Sequence, residues 1–220
     1  MQAQIKVAVA SNFKATLSAI IDQYQQETGN EVVASSASTG TLYNQIVHGA
    51  PFDIFLSADS IHAEKIEQSK FALKGSRFTY AQGLLAFWQP RNVSVNLQSL
   101  GDFKGRLAIA NPKLAPYGLA AKQSLEHFNL WNKLNYVKGT NIAQAYQFIE
   151  SGSVQGGLVA YSLLVQENQS NYYLIPAHLY DPIVQQGVLM NTKNQVQAAQ
   201  FINYLQSKPI QAFIQTQGYR

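Results

Sequence analysis

Residues 8–29, "AVASNFKATLSAIIDQYQQETG", decide how the chain is read. Together with the preceding residues they open as "IKVAVA" (5–10), an apolar run of strand length with the character of a strand buried on both faces. After Ser11 and Asn12 the period changes. Phe13, Leu17, Ile20, Ile21 and Tyr24 recur at helical spacing until Gly29 supplies a stop. A buried strand, a short polar break and an amphipathic helix thus follow one another. Ser11 and Asn12 are either caps for that helix or donors that hold something at its start.

The unit recurs. "NEVVAS" leads to "STGTLYNQIVHG", "FDIFLS" to "ADSIHAEKIEQ", "GRLAIANP" to "YGLAAKQSLEHF", "NYVKGT" to "NIAQAYQFIESG", and "GGLVA" to "YSLLVQENQ". Repeated strand-then-helix order predicts an α/β chain of mostly parallel sheets flanked by helices, with ligands bound beyond the carboxyl ends of the strands. Two stretches break the alternation: "SRFTYAQGLLAFWQP" (76–90) and "LYDPIVQQGVLMN" (179–191) are extended and lack helical spacing. They are expected to be paired crossings between two lobes, with hinges near 77–82 and 178–184. Lobe one is then residues 1–79 plus 181–220, closing with helices around "AAQFINYLQ" and "PIQAFIQTQG", and lobe two is residues 80–180. A ligand cleft lies between them, and the aromatics of 78–88 are expected to pack between the lobes. No repeat of fixed period and no low-complexity segment is found.

Composition narrows the function classes. The 220 residues are 46% hydrophobic, enough for a proper core. No apolar run approaches the roughly 18 residues of a membrane span. Cysteine is absent, which removes disulfides, thiolate catalysis and Cys-based metal sites. Sixteen Lys and Arg against twelve Asp and Glu give a net charge of +4, spread singly along the chain. That pattern does not track a phosphate backbone, so no nucleic-acid partner is expected. His48, His62, His127 and His178 stand apart from other metal-ligating residues. Asp53 and Asp59 flank "IFLSA", but Asp59 reads as a helix N-cap, and without Cys, clustered His or paired acids no enzyme is expected. Asp181 before Pro182 reads as a turn residue. Arg77, beside the first hinge, is a candidate either for steering anions or for an ion pair that supports the hinge.

Several helices start alike, on small polar or glycine-containing segments free of carboxylates: Ser11-Asn12, Ser38-Thr39-Gly40, Tyr117-Gly118 and Thr140-Asn141-Ile142. The first turn of a helix carries N–H groups without internal partners and a partial positive charge, so it attracts anions. Each start taken singly is an ordinary N-cap. Their common placement after strand ends points to one oxyanion site built from uncharged donors. Such a site favours fully ionised dianions, because a protonated anion such as hydrogen phosphate finds no acceptor there.

These residues resemble a known family, the periplasmic molybdate-binding proteins of ABC transporters, within the type II periplasmic binding protein fold. The resemblance rests on "AVASNF" (8–13), "SSASTGTLYNQIVHGAPFDIFLSAD" (35–59), "GSRFTYAQGLLAFW" (75–88), "ANPKLAPYGLAA" (110–121), "GTNIAQAYQFIESG" (139–152), "GLVAYS" (157–162) and "DPIVQQGVL" (181–189). It implies that Ser11 and Asn12, Thr39, Tyr117 and Ile142, from four loops, hold the oxyanion, with Tyr117 and Ile142 acting through their N–H groups. The molybdenum is then held only through its oxygens, with no direct metal ligand and no separate cofactor. Where some relatives place a ligand-contacting Tyr, this chain has Ala160, with Tyr161 one residue later, which is the pattern of the branch that uses an Asn after the first Ser or Thr. The resemblance further implies binding of molybdate and tungstate, delivery to the membrane permease of an ABC transporter, a monomer, and a periplasmic address with Met1 replacing a cleaved signal. The alternatives are a sulfate or other tetrahedral oxyanion receptor and an oxyanion-sensing regulatory domain; no helix-turn-helix segment supports the latter.

Overall fold

The computed structural model describes residues 4–92 and 94–220. Strand β1 (Ile5–Ala10) is followed by a single 3-10 turn at Ser11–Phe13 and then helix α1 (Lys14–Thr28). The polar break is therefore a turn of its own, tighter than the helix it introduces. Gly29 ends α1 in the left-handed conformation at φ 71°, its N–H bonded to the Gln25 carbonyl at 2.9 Å, a backbone shape that glycine adopts without strain.

The same unit then repeats as β2 (Val32–Ala37), α2 (Thr39–Val47), β3 (Ile54–Ser57) and α3 (Ser60–Glu67), ending in β4 (Phe78–Gly83). The chain passes through Leu84 into β5 (Leu85–Trp88), followed by α4 (Leu97–Gly101), β6 (Arg106–Ala110), α5 (Pro116–His127), β7 (Asn135–Gly139), α6 (Ile142–Glu150), β8 (Gly156–Ala160), α7 (Tyr161–Gln166) and β9 (Tyr172–Leu174). It returns through β10 (Ile183–Leu189) and finishes with α8 (Gln195–Leu205) and α9 (Lys208–Thr216).

Two five-stranded sheets result, ordered β2-β1-β3-β10-β4 and β7-β6-β8-β5-β9. Each is mixed. In the first, β1 pairs in parallel with β2 and β3, while β10 is antiparallel to β3 and β4. In the second, β6 pairs in parallel with β7 and β8, while β5 is antiparallel to β8 and β9. One strand is reversed in each sheet, and it is the strand that has just crossed from the other sheet. The remaining strands arrive through helices, whose crossovers keep strands parallel.

Alternation along β1 explains why it is apolar throughout. Val7 and Val9 join Phe13, Leu17, Ile20 and Phe201 on the face covered by α1 and α8. Ala8, with Phe55, faces Leu42, Ile46 and Ile66 of α2 and α3. Full burial of a side chain such as Leu17 or Phe13 contributes about 1.5 to 3 kcal/mol. The aromatics of 78–88 correct the expectation of packing between lobes, because they alternate into the cores of their own sheets. Tyr80 lies on Phe13 with ring centres 4.7 Å apart, Phe87 meets Phe103 edge-on at 5.8 Å, and Trp88 stacks on Tyr146 at 4.9 Å.

The acidic residues are structural. Asp53 is buried and accepts from Lys6 N at 2.9 Å, Thr192 Oγ1 at 2.6 Å and Asn194 Nδ2 at 3.2 Å. Asp59 caps α3, accepting from His62 N at 2.8 Å. Asp181 clasps Gln123 of α5, accepting from Gln123 Nε2 at 2.6 Å and donating its own N–H to Gln123 Oε1 at 3.0 Å. Arg77 pairs with Glu67 at 3.1 Å and donates to Gln186 Oε1 at 3.0 Å, tying α3 and β10 together beside β4.

Candidate functional site

Ser11, Asn12, Thr39, Tyr117 and Ile142 line one small pocket, although they lie up to 131 positions apart in sequence. Each sits just past the carboxyl end of a strand or on the helix that follows it. β1 ends into Ser11, β2 into the start of α2, β6 into the loop before α5, and β7 into the loop before α6. Ser38 completes the polar lining, while alanines 10, 58 and 115 and Pro116 supply small apolar walls. The pocket is tight, with a cavity volume of about 10 Å³, and its lining contains no charged side chain. A larger hollow of about 390 Å³, bordered by Gln89, Arg91, Gly152 and Gln155, lies at the opposite end of the second sheet, where β6 and β8 begin.

The question raised by Ser11 and Asn12 has a geometric answer: neither caps a helix. Neither the 3-10 turn nor α1 has a side-chain cap. Ser11 is 7% exposed and Asn12 1%, so both polar side chains are held inside without serving the helix. At α2 the cap is Ser38, whose Oγ accepts from Thr41 N at 3.3 Å. Capping by Ser38 leaves Thr39 free for another role. Its Oγ1 accepts from Ala58 N at 3.0 Å, and an oxygen used as an acceptor still has its proton to give. At α6 the cap is Asn141, accepting from Gln144 N at 3.0 Å. Ile142 and Thr39 are the first residues of their helices and Tyr117 the second of α5. The N–H groups of a first helical turn have no carbonyl four residues back to bond. Ser38 is the contributor that sequence reasoning treated only as part of a polar helix start; its side chain shapes the wall by bonding Thr41.

Both sheets contribute, and the two halves touch at the rim. Gly40 N donates to Leu114 O at 2.9 Å, and a Cβ on Gly40 would lie 3.0 Å from that oxygen. Gln166 Nε2 of α7 donates to Thr16 Oγ1 of α1 at 2.7 Å. Behind the pocket lies a buried, uncharged layer. The side-chain amides of Asn12 and Gln185 are hydrogen-bonded to each other at 2.8 Å, and Tyr219 Oη donates to the Asn12 carbonyl at 2.7 Å. Burial holds the Tyr80 and Tyr117 hydroxyls well above the ordinary value of 10.0 and pushes Tyr219 up to about 12. All three therefore remain protonated and neutral at physiological pH, so the layer adds hydrogen-bonding groups without adding charge.

Tyr161 is not part of the pocket lining; its ring lies 5.4 Å from that of Tyr172. Ala160, in the position of the departure noted above, ends β8 and is fully buried. Among the described residues no group of three His, Cys, Asp or Glu is placed to hold a metal ion, and no helix is long and apolar enough to cross a membrane.

With this geometry in view, comparison with known proteins is specific. The sequence pattern of the family described as bacterial extracellular solute-binding protein matches residues 5–220. Molybdate-binding protein ModA of Azotobacter vinelandii is 39% identical over 227 aligned residues, covering 99% of this chain and 90% of the relative. Molybdate-binding protein ModA of Rhodobacter capsulatus is 34% identical, covering 98% and 88%. The solved structure of the Azotobacter vinelandii periplasmic molybdate-binding protein superposes with a TM-score of 0.93 over 98% of both chains. Matched over almost its whole length in sequence and in fold, the chain belongs to the bacterial extracellular solute-binding protein family, alongside its ModA members.

Proposed function

We propose that the protein binds molybdate, with tungstate as a second cargo, in the periplasm and delivers it to the membrane permease of an ABC transporter. It is a carrier, and no covalent step is involved. The observation that carries the reading is the pocket itself: Ser11, Asn12, Thr39, Tyr117 and Ile142, drawn from both sheets, border one cavity whose lining has no charge. The Ser11 and Thr39 hydroxyls, the Asn12 side-chain amide and the N–H groups at the starts of α2, α5 and α6 grip the four oxygens of the ion. Charge-assisted hydrogen bonds contribute roughly 1.5 to 3 kcal/mol each, so six or seven of them offset dehydration of the dianion and ordering of the halves. Cavity size then separates dianions of equal charge.

The two halves, one built on each sheet, close on the ion by a hinge motion where the chain crosses between the sheets, at Leu84 and in the segment leading into β10. The contacts Gly40 to Leu114 and Gln166 to Thr16 belong to the closed form. Calorimetric titration with molybdate, tungstate, sulfate and phosphate tests the assignment. Molybdate and tungstate are expected to bind tightly, with sulfate at least about tenfold weaker, a difference of about 1.4 kcal/mol. Sulfate matching molybdate makes the protein a sulfate receptor instead.

A further inference from the structure

Gln185 joins the two halves behind the pocket. It lies on β10 opposite an irregularity: Gln185 pairs with Ala81 and Gln186 with Thr79, so Tyr80 is the extra residue on β4. Such a bulge re-aims side chains, and here it sets Tyr80 beside Gln185. The Gln185 side chain is fully buried and meets three partners. Its Oε1 lies 2.8 Å from Asn12 Nδ2 and 3.1 Å from Tyr80 Oη, and its Nε2 lies 3.2 Å from Tyr117 Oη. Gly83 makes the room, since a Cβ there would stand 2.1 Å from Tyr117 Oη and 2.9 Å from Gln185 Nε2.

Counting protons exposes a mismatch in this arrangement. Asn12 Oδ1 is buried and has no partner among the described residues. The Tyr117 hydroxyl accepts from Gln185, and no acceptor is present for its own proton among the described residues. The single Tyr80 proton faces both Ser57 O at 3.0 Å and Gln185 Oε1. Turning over both carboxamides leaves every heavy atom in place and exchanges nitrogen for oxygen. Gln185 Nε2 then donates to Asn12 Oδ1 and to Tyr80 Oη. Tyr80 gives its proton to Ser57 O, and Tyr117 gives its proton to Gln185 Oε1. Tyr219 keeps its bond to the Asn12 carbonyl but loses the 3.3 Å bond it accepts from the Asn12 amide, while the Asn12 NH₂ takes the buried position that has no partner among the described residues. The amides must turn together, because turning one alone sets two oxygens, or two nitrogens, 2.8 Å apart.

We infer that Gln185 is a positioning residue that fixes the polarity of Asn12. By donating to Asn12 Oδ1, it leaves the Asn12 NH₂ as the end available to the pocket, so the site offers a donor where it would otherwise offer an acceptor. A fully ionised oxyanion is then favoured, and one that must donate a proton is refused. The inference rests on the oxyanion reading of the same pocket.

The test is Gln185→Met, which keeps length and neutrality but removes the donor and frees Asn12 to present its oxygen. Affinities for molybdate and hydrogen phosphate, both dianions at pH 8, are measured for wild type and variant by calorimetric competition. The molybdate-to-phosphate affinity ratio is expected to fall by about tenfold or more, the loss of one donor facing the ion together with the gain of one acceptor for the phosphate proton. Equal weakening of both, as general loosening of the fold produces, overturns the inference. Neutron diffraction from deuterated crystals of the ligand-free wild type gives an independent reading and needs no folded variant. Deuterons on the Gln185 atom that faces Asn12 are expected, and deuterons on the Asn12 atom that faces Gln185 overturn it. Absence of any molybdate heat from the wild type sinks the cargo assignment and leaves the neutron result to decide the amide pairing.

Discussion

Replacing Ser11 and Thr39 together with alanine is expected to weaken molybdate binding by about two to four orders of magnitude, about 3 to 6 kcal/mol for two charge-assisted hydrogen bonds. The two hydroxyls come from separate strand ends, so neither loop can substitute for the other. Their structural costs differ. The Ser11 side chain caps nothing, and its loss should leave the unliganded fold almost unchanged. Thr39 also accepts from Ala58 N, so its alanine variant leaves a buried donor unpaired and loses roughly 1 to 3 kcal/mol of stability as well. Thr39→Ser keeps the oxygen and is expected to restore both properties. Calorimetry for affinity and urea unfolding for stability separate the two effects, and molybdate affinity within threefold of wild type in the double variant would remove these hydroxyls from the site.

Gly118→Val is expected to destabilise the protein by about 3 kcal/mol or more and to weaken binding with it. Gly118 is the third residue of α5, beside Tyr117. A Cβ there would lie 2.4 Å from Ala110 O and 2.8 Å from the carbonyl carbons of Ala110 and Asn111. These are backbone atoms at the end of β6, a strand paired on both sides, and they cannot swing away as a flexible side chain could. The helix start must lift instead, and with it the Tyr117 N–H and ring. Gly101→Ala serves as the control, since its Cβ would meet nothing within 4 Å and an effect within about 1 kcal/mol is expected. Urea midpoints compared at constant m-value measure both. A Gly118→Val midpoint equal to that of the control contradicts the tight approach of α5 to β6.

Much of this architecture is legible in the sequence because its signals are local. The apolar run at 5–10, the change of period after Asn12 and the stop at Gly29 each follow from neighbouring residues, and together they locate β1 and α1. The four helix starts that border the pocket were legible for a related reason: polar starts after strand ends are local patterns, and the topology of parallel strands gathers their carboxyl ends at one edge of the sheet, whereas the choice of Ser11, Asn12, Thr39, Tyr117 and Ile142 among them came from the family resemblance. What the local pattern could not carry is long-range pairing. Nothing near Asn12 indicates that its amide meets Gln185 and Tyr219, 173 and 207 positions away. The aromatics at 78–88 read as a single extended run suited to packing between lobes, whereas Tyr80 and Trp88 lie in different sheets and different cores. The short β9 and α4 carry too few residues to show a period. The reversal of β5 and β10 depends on how the chain crosses between sheets, and strand composition does not record direction.

The claim on which the account rests is that uncharged donors from both sheets converge on one ion. A crystal structure of the protein grown with molybdate tests it most directly. The predicted result is a tetrahedral oxyanion within hydrogen-bond distance of the Ser11 and Thr39 hydroxyls, the Asn12 side-chain amide and the N–H groups of Thr39, Tyr117 and Ile142, with no charged side chain in contact. An ion held elsewhere, or gripped by lysine or arginine side chains, contradicts it.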